Sequence, residues 1–384
     1  MRLVVILAGI SSLVVAAIVV PCLLQAGEVT QASPYTLLSP IRSGNLTVFP
    51  VVASKSYDTG QFLTLDEGLR SGEVVVTEAG QARGLIRRRP GHTVPIIPDR
   101  GGAEVNRLVL VNNSTRPLLL LAGEIVTGGK QDRVIGKDRI VPPESDPVDL
   151  SVFCVEPGRW TSMNGNNGFG SGAGGGIGGG MSAGGAAGGI VAAPSVRGSA
   201  MAAKNQQQVW DNVAKSKQAM TVTVEAQSAD AAAEVNRTTS YAGVMNNKEV
   251  QKQVDAVAAP VEHNYESVIH QLRDKNAVGV VVAVNGDIVW ADIFASTQLL
   301  QKYWPKLIRS YATEAVVTRA KGGEVTIKDA QKFLDNLEAR HETADTEPGV
   351  YRQTERTGDG FKVFELTSLL PKTGFPIHIA KMAD

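Results

Sequence analysis

The strongest hydrophobic pattern in the chain is an uncharged apolar run at its N-terminus. Residues 3–24 contain no charged side chain, Arg2 precedes them, and Glu28 is the first acidic residue that follows. A short basic segment, an apolar stretch and small residues near Ala26 are typical of a secretory signal peptide. Because such a run is also long enough to span a bilayer, the pattern predicts either a signal peptide over 1–26 or an uncleaved membrane anchor formed by residues 3–24. In both cases the rest of the chain is extracytoplasmic, periplasmic or secreted.

The first half of the remaining chain is rich in predicted β-strands. Short runs of aliphatic and β-branched residues, which favour strands, occur at 46–52, 72–78, 107–112, 117–122 and 150–155. We expect 107–112 and 117–122 to pair as a hairpin, and a second strand pair to flank 141–145. Thr64 and Glu67 have the spacing of a capping box, which predicts a helix start within this half.

Helical patterns dominate the second half of the chain. They cover 206–217, 226–246, 261–274, 296–320 and 327–340. Two apolar runs, 277–284 and 287–294, are joined by Asn285-Gly286, a dipeptide that strongly favours a tight hairpin. Further strand candidates lie at Tyr351, 361–366 and 376–379. Together these elements predict a single α+β domain over 35–384: a β-rich N-terminal half with a mixed or antiparallel sheet, then helices and a further hairpin, with strands from both ends of the chain in one core.

A glycine-rich stretch interrupts the chain near its middle. Residues 165–189 contain 14 of the 40 glycines. Ordering so much glycine is entropically costly, and few side chains there can pack. A phosphate-binding loop is not indicated, because no strand leads directly into a glycine turn that opens a helix. We therefore predict a disordered insertion at about 161–203.

Composition and charge exclude several classes of protein. The chain has 38 basic and 38 acidic residues, so nothing favours nucleic acid as a partner. Two cysteines cannot form a disulfide framework, and Cys154 lies in an apolar run that predicts a buried structural thiol. His263 and His270 share a predicted helix with two glutamates, a pattern more typical of a solvated face than of a metal site. We expect neither a metal nor a cofactor.

Charged residues, together with a glutamine and a tryptophan, are concentrated at the ends of two predicted strands. The seven residues are Glu124, Lys130, Gln131, Arg133, Glu156, Arg159 and Trp160. They could line a pocket, because an arginine fork suits a carboxylate or phosphate and a tryptophan face suits a planar ring or a cation. They could equally form a buried network in which Glu124 and Glu156 pair with the three basic residues. The residues alone leave both alternatives open.

Several separated strings of the sequence resemble one domain family. They are 123–133, 141–143, 154–160, 209–211 and 302–311. The resemblance is to the ADP-ribosylglycohydrolase and rhodanese-phosphatase-superfamily-associated protein domain family, and it spans roughly residues 37–315. It implies a role around NAD or ADP-ribose metabolism, without an established reaction. It also implies that the glycine-rich stretch is an insertion within one domain, because matching strings lie on both sides of it.

The sequence therefore supports two hypotheses of function. The first is an exported module that binds a small anionic molecule, such as a nucleotide or an ADP-ribose-like compound, through the seven residues above. The second is a non-catalytic envelope protein that has a structural role or binds another protein. Whether the protein is an enzyme stays open, and membrane contact is expected only through the N-terminal segment if it stays uncleaved.

Overall fold

Nineteen strands, eight α-helices and a π-helical turn occur in the part of the chain that the computed structural model describes, which is residues 33–78, 107–158, 182–183, 189–318, 322–336 and 339–384. The strands are β1 (Tyr35–Leu37), β2 (Ile41–Ser43), β3 (Leu46–Ala53), β4 (Leu63–Thr64), β5 (Val74–Glu78), β6 (Arg107–Asn112), β7 (Leu118–Leu120), β8 (Glu124–Thr127), β9 (Arg133–Ile135), β10 (Arg139–Val141), β11 (Val148–Cys154), β12 (Ser182–Ala183), β13 (Ile190–Val191), β14 (Asn276–Val284), β15 (Asp287–Phe294), β16 (His341–Glu347), β17 (Tyr351–Thr357), β18 (Phe361–Ser368) and β19 (Pro376–Ala383). The helices are α1 (Leu65–Ser71), α2 (Pro194–Gly198), α3 (Gln206–Glu225), α4 (Ala229–Arg237), α5 (Tyr241–Met245), α6 (Lys248–Gln271), α7 (Thr297–Val317) and α8 (Ile327–Asp335), and a π-helical turn, Ser199–Ala203, continues α2.

The described residues from Pro34 to Asp384 belong to one compact unit. None of the described helices is both long and apolar enough to cross a membrane. The predicted signal peptide or anchor lies outside the described residues, as do Arg159 and Trp160.

An antiparallel sheet of nine described strands is the largest layer of the fold. Its order is β1-β3-β14-β15-β19-β18-β17-β16, with β2 also beside β3. The predicted hairpin of β14 and β15 is confirmed: Asn285 has a φ of 55° and Gly286 a φ of 82°, as a tight hairpin turn requires. Because β3 pairs with β14, strands from both ends of the chain share one sheet, and the predicted α+β class with a β-rich N-terminal half is confirmed.

Two long helices pack together and contribute to the main hydrophobic core. In this core, the Trp304 ring of α7 stacks on the Tyr265 ring of α6 with 4.2 Å between centroids. Pro260 is exposed inside α6, which begins at Lys248 rather than at the predicted residue 261. The predicted helix over 226–246 is divided into α4 and α5.

The pairing of the shorter strands corrects two predictions. In the described chain β6 pairs with β5 and β11, whereas β7 pairs with β10 and β4, so the predicted hairpin of 107–112 with 117–122 is wrong. The reason lies in Asn112, whose side-chain amide donates to the backbone oxygens of Arg116 and Pro142 at 3.0 and 2.9 Å and stabilises a wider connection. The strands flanking 141–145 also do not pair with each other, because β10 joins β7 and β11 joins β6 and β9.

The predicted insertion at 161–203 ends earlier than expected. Ile190–Val191 pairs with β8, and α2 and its π-helical turn follow without a break. Val196 and Ala200 are buried, and Pro194 occupies the first turn of α2, where proline is well tolerated. Helix α2 and its π-helical turn therefore lie inside the predicted insertion, where apolar residues follow the glycines. Apart from Ser182–Ala183 and Gly189, the glycine-rich stretch lies outside the described residues.

Candidate functional site

Four of the seven predicted site residues lie together in a largely buried group. They are Lys130, Gln131, Arg133 and Glu156, and with Glu78 and Asp132 they form what we call the Arg133 cluster. Arg133 Nη2 lies 3.3 Å from Glu78 Oε2, and Glu78 Oε1 accepts a 2.9 Å hydrogen bond from the Lys130 backbone N–H. Glu156 Oε2 accepts a 3.0 Å bond from the Asp132 N–H. The cluster thus links the β8–β9 turn to β5 and to the end of β11.

Contacts within the Arg133 cluster stabilise the turn itself. Arg133 Nη1 donates to the Gln131 backbone oxygen at 2.5 Å, Asp132 Oδ1 accepts the Gly128 N–H at 3.1 Å, and the Ser240 hydroxyl donates to the other oxygen of Asp132. The Arg133 side chain is 0 % exposed. These contacts account for the buried charges without a ligand, so the binding role predicted for this group stays a prediction. Cys154, at the end of β11, is buried as expected, and burial raises the pKa of its thiol.

Glu124 belongs to a different group from the other predicted site residues. It begins β8, and its carboxylate accepts the Leu121 N–H at 2.7 Å and the Lys306 ammonium at 2.5 Å. Lys306 also donates to Asp66. Arg133 lies opposite Val126 at the other end of the strand pair. Among the described residues, the expected pairing of Glu124 with Lys130 or Arg133 is therefore wrong.

The Lys306 ammonium is held between two carboxylates in a buried site. Burial alone would lower the pKa of Lys306, but Glu124 and Asp66 outweigh that effect and raise it, so the lysine stays charged. Burial raises the pKa of the Glu124 carboxyl, Lys306 opposes the rise, and Asp66 adds to it. Lys306 therefore stays protonated, and the Glu124 carboxyl takes up a proton more readily than an ordinary glutamate does.

Lys306 forms part of the wall of a cavity of about 340 Å³. The cavity lies between α6, α7 and β13. Its apolar lining consists of Ile190, Val191, Met245, Val254 and Pro305, and its polar lining of Asn246, Gln251, Glu262, Lys306, Arg309, Ser310 and Thr313. A concave surface in which apolar side chains meet converging polar groups is typical of a small-molecule site.

The charged residues of this cavity were not among the predicted site residues. Lys306 and Arg309 do occur in the string 302–311 that carries the family resemblance, which was the one available signal. Glu262 was assigned to a solvated helix face together with His263 and Glu266. The structure exposes His263 and Glu266, whereas Glu262 is half-buried and lines the cavity. No group of residues suited to hold a metal occurs in the described part of the chain.

A second buried charge network joins three layers of the fold. Arg197 Nη1 lies 2.7 Å from Asp292 Oδ2, and both side chains are 0 % exposed. Tyr311 donates to the same oxygen at 2.5 Å, and Arg197 Nε donates to the Ala122 carbonyl at 2.8 Å. The Arg197 guanidinium also stacks 4.6 Å from the Trp290 ring. The sequence placed Arg197 inside a disordered insertion, so its central position was not expected.

His378 extends this network with both of its ring nitrogens. Nδ1 lies 2.6 Å from Asp138 Oδ2 and Nε2 lies 3.0 Å from Asp292 Oδ1. Burial alone would lower the pKa of His378, but the two carboxylates outweigh it and raise the pKa. Because both nitrogens face acceptors, the imidazole is protonated and donates to each carboxylate.

This protonation predicts that stability falls as the pH rises above the ordinary histidine pKa of 6.5. A raised folded-state pKa means that the folded protein binds more protons than the unfolded chain in this window, so the contribution is complete below 6.5 and is lost as the pH passes the folded-state value. The slope can reach about 1.4 kcal/mol per pH unit for one proton. Urea unfolding of the wild type and of His378→Gln between pH 6 and 9 measures it.

The difference between the two proteins isolates the histidine. Lys381, whose pKa burial lowers to about 8, titrates in both and cancels. If the difference in unfolding free energy between the wild type and His378→Gln stays constant from pH 6 to pH 9, His378 is not charged in the folded protein. If His378→Gln fails to fold, NMR titration of the His378 imidazole in the wild type measures its protonation directly.

Comparison with known proteins identifies the family. The model of the ARG and Rhodanese-Phosphatase-superfamily-associated Protein domain, ARPP-1, matches residues 34–380. That range contains the Arg133 cluster, the cavity beside Lys306, which we call the Lys306 cavity, and the buried network around Arg197 and Asp292. No curated protein and no solved structure matches the chain. The resemblance seen in the sequence is therefore confirmed, and the chain belongs to the ARPP-1 domain family.

Proposed function

We propose that this protein is an exported module that binds a small molecule in the cavity beside Lys306. The observation that carries the proposal is the cavity of about 340 Å³ between α6, α7 and β13, in which apolar walls meet a buried lysine that two carboxylates hold in place. Preformed concave sites with a few fixed polar groups are the usual places for ligands. Both helices contribute to the main core, so the walls of the cavity are fixed by the fold.

The size of the cavity favours a small metabolite over a dinucleotide. Ligand pockets usually range from about 300 to 1,000 Å³, and this one lies at the lower end. The anionic, nucleotide-like ligand expected from the sequence was assigned to the seven predicted site residues, of which Arg133 and Glu156 already have partners among the described residues. The compounds to be screened therefore include nucleotides and ADP-ribose as one set, beside sugars and small amphipathic metabolites.

A thermal-shift screen of the processed protein as isolated tests the proposal, with calorimetry for each hit. The variant Gln251→Trp places a large ring at the cavity wall, and Gln253→Trp is its matched control, because Gln253 is also half-buried on α6 but does not line the cavity. We expect hits to bind the wild type and the control alike and to bind Gln251→Trp at least about tenfold more weakly, which is about 1.4 kcal/mol. Hits that bind Gln251→Trp as tightly as the wild type would place the ligand elsewhere.

Export is the second part of the proposal, supported by the uncharged run at 3–24. Cell fractionation should recover the protein outside the cytoplasm, and N-terminal sequencing distinguishes cleavage after about residue 26 from an intact anchor. A soluble, full-length cytosolic product would contradict export.

A further inference from the structure

Glu262 contributes a carboxylate to the wall of the Lys306 cavity. Among the described residues Glu262 forms no hydrogen bond and no ion pair, although it is half-buried and lines the cavity. A partly buried carboxylate without a donor is costly, and such groups in proteins are usually paired. Its burial raises the pKa of Glu262, and the neighbouring Glu266 adds to the rise.

The two cations that line the cavity each form an ion pair with another carboxylate. Lys306 is held by Asp66 and Glu124. Arg309 lies near enough to act on the charge of Glu262, but it forms its ion pair with Asp255 at 2.8 Å. Of the charged side chains that line the cavity, Glu262 is therefore the one without an ion pair among the described residues, and a positive group is the partner that it attracts.

The rest of the lining suits the uncharged part of such a ligand. Val191, Met245 and Val254 supply apolar surface, and Ser310 and Thr313 are occupied by bonds to the Ala192 and Arg309 carbonyls. A hydrocarbon body can therefore be buried while one charged end lies at Glu262. Burial of apolar area favours binding, and the ion pair with Glu262 makes binding selective for a positively charged ligand.

We propose that the ligand of this cavity is a small amphipathic amine whose ammonium group pairs with the Glu262 carboxylate. The inference rests on the proposed function, since it names the class of molecule that the cavity takes. It reverses the sign of charge that the sequence suggested for the ligand.

Three molecules with the same hydrocarbon chain and different ends test the charge: hexylamine, 1-hexanol and hexanoate. Calorimetric titration of the processed wild-type protein should show hexylamine binding at least tenfold more tightly than the alcohol, and hexanoate binding most weakly. In Glu262→Gln the preference for the amine over the alcohol should fall at least fivefold. Glu225→Gln is the control, because Glu225 is an exposed carboxylate at the end of α3 that is not part of the cavity wall; we expect its preference to change less than twofold.

The outcomes separate this inference from the proposed function. Equal binding of hexylamine and hexanol, or an amine preference that survives in Glu262→Gln, overturns the amine class. If the neutral or anionic probe still binds and Gln251→Trp abolishes that binding, the cavity remains a ligand site for another class of molecule. If hexylamine does not bind the wild type at all, the amine inference is wrong whatever the metabolite screen finds. Glu262→Gln should fold normally, because the side chain it replaces makes no described bond, and its melting temperature verifies this.

Discussion

Replacing Arg197 with methionine is expected to lower the free energy of unfolding by about 3–5 kcal/mol, because it removes one partner of a fully buried ion pair. The Asp292 carboxylate would keep its bonds to His378 and Tyr311 but would lose the cation 2.7 Å away. The Cγ, Cδ and Nε atoms of Arg197 also lie against Gly123, where any side chain would collide with them. Methionine fills part of this space but leaves the Ala122 carbonyl without its donor. Urea unfolding at pH 7 measures the loss.

Arg309→Met is the control for the loss of an arginine charge as such. Arg309 pairs with Asp255 at 2.8 Å, but its side chain is 50 % exposed, so water screens the pair. Exposed pairs contribute about 0–1 kcal/mol. If Arg197→Met cost no more than this control, the buried network would be of little importance to the stability of the fold.

The features that the sequence predicted correctly are those with a local physical signal. The Asn285-Gly286 turn sets the conformation of its own hairpin, and Thr64 and Glu67 form the capping box at the start of α1 as expected. In both cases the residues that determine the structure lie within a few positions of it. The apolar character of residues 150–155 likewise predicted the burial of Cys154.

Pairing between distant segments was not predicted, because local patterns do not contain it. The runs 107–112 and 117–122 are both strands, but each prefers a partner far away in sequence, and the short connection between them only made a hairpin plausible. β16 was missed for another reason. It is exposed at the edge of the large sheet and polar on both faces, so it shows no alternation of apolar and polar residues.

The candidate site shows the same difference between contacts of neighbouring residues, which the sequence indicates, and contacts of distant residues, which it does not. Lys130, Gln131 and Arg133 are close along the chain, and they lie together at the β8–β9 turn and the start of β9. Spacing along the chain could not show that Glu124 pairs with Lys306, which is 182 positions away. The predicted insertion also extended too far, because it included Arg197, which lies in α2. Composition averaged over a window does not show the position at which apolar residues resume.

Replacing Lys306 with methionine is expected to lower the free energy of unfolding at pH 8 by about 3–5 kcal/mol, since two carboxylates then share a buried site without a cation. Methionine is unbranched and apolar like the stem of the lysine, so the change is mainly one of charge. Asp66 and Glu124 would repel each other, and the Glu124 carboxyl would take up a proton more readily still. Denaturant unfolding of the variant and the wild type at pH 8 and pH 5 gives the two differences.

Lys302→Met, one turn earlier on α7, is the matched control. Lys302 pairs with Glu67 at 3.0 Å, and the two side chains are 20 % and 35 % exposed, so its loss should cost less than Lys306→Met.

The dependence on pH distinguishes stranded carboxylates from a mere loss of packing. In Lys306→Met the folded-state pKa of Glu124 rises further than burial already raises it, so the folded variant binds more protons than its unfolded chain as the pH falls. The deficit relative to wild type should therefore shrink from pH 8 to pH 5. A packing defect has no titrating group and would give the same deficit at both values. An unchanged deficit would thus mean that the Lys306 site is stabilised by the fit of its side chains rather than by its charge, and that a ligand in the adjoining cavity meets a wall whose electrostatics matter little.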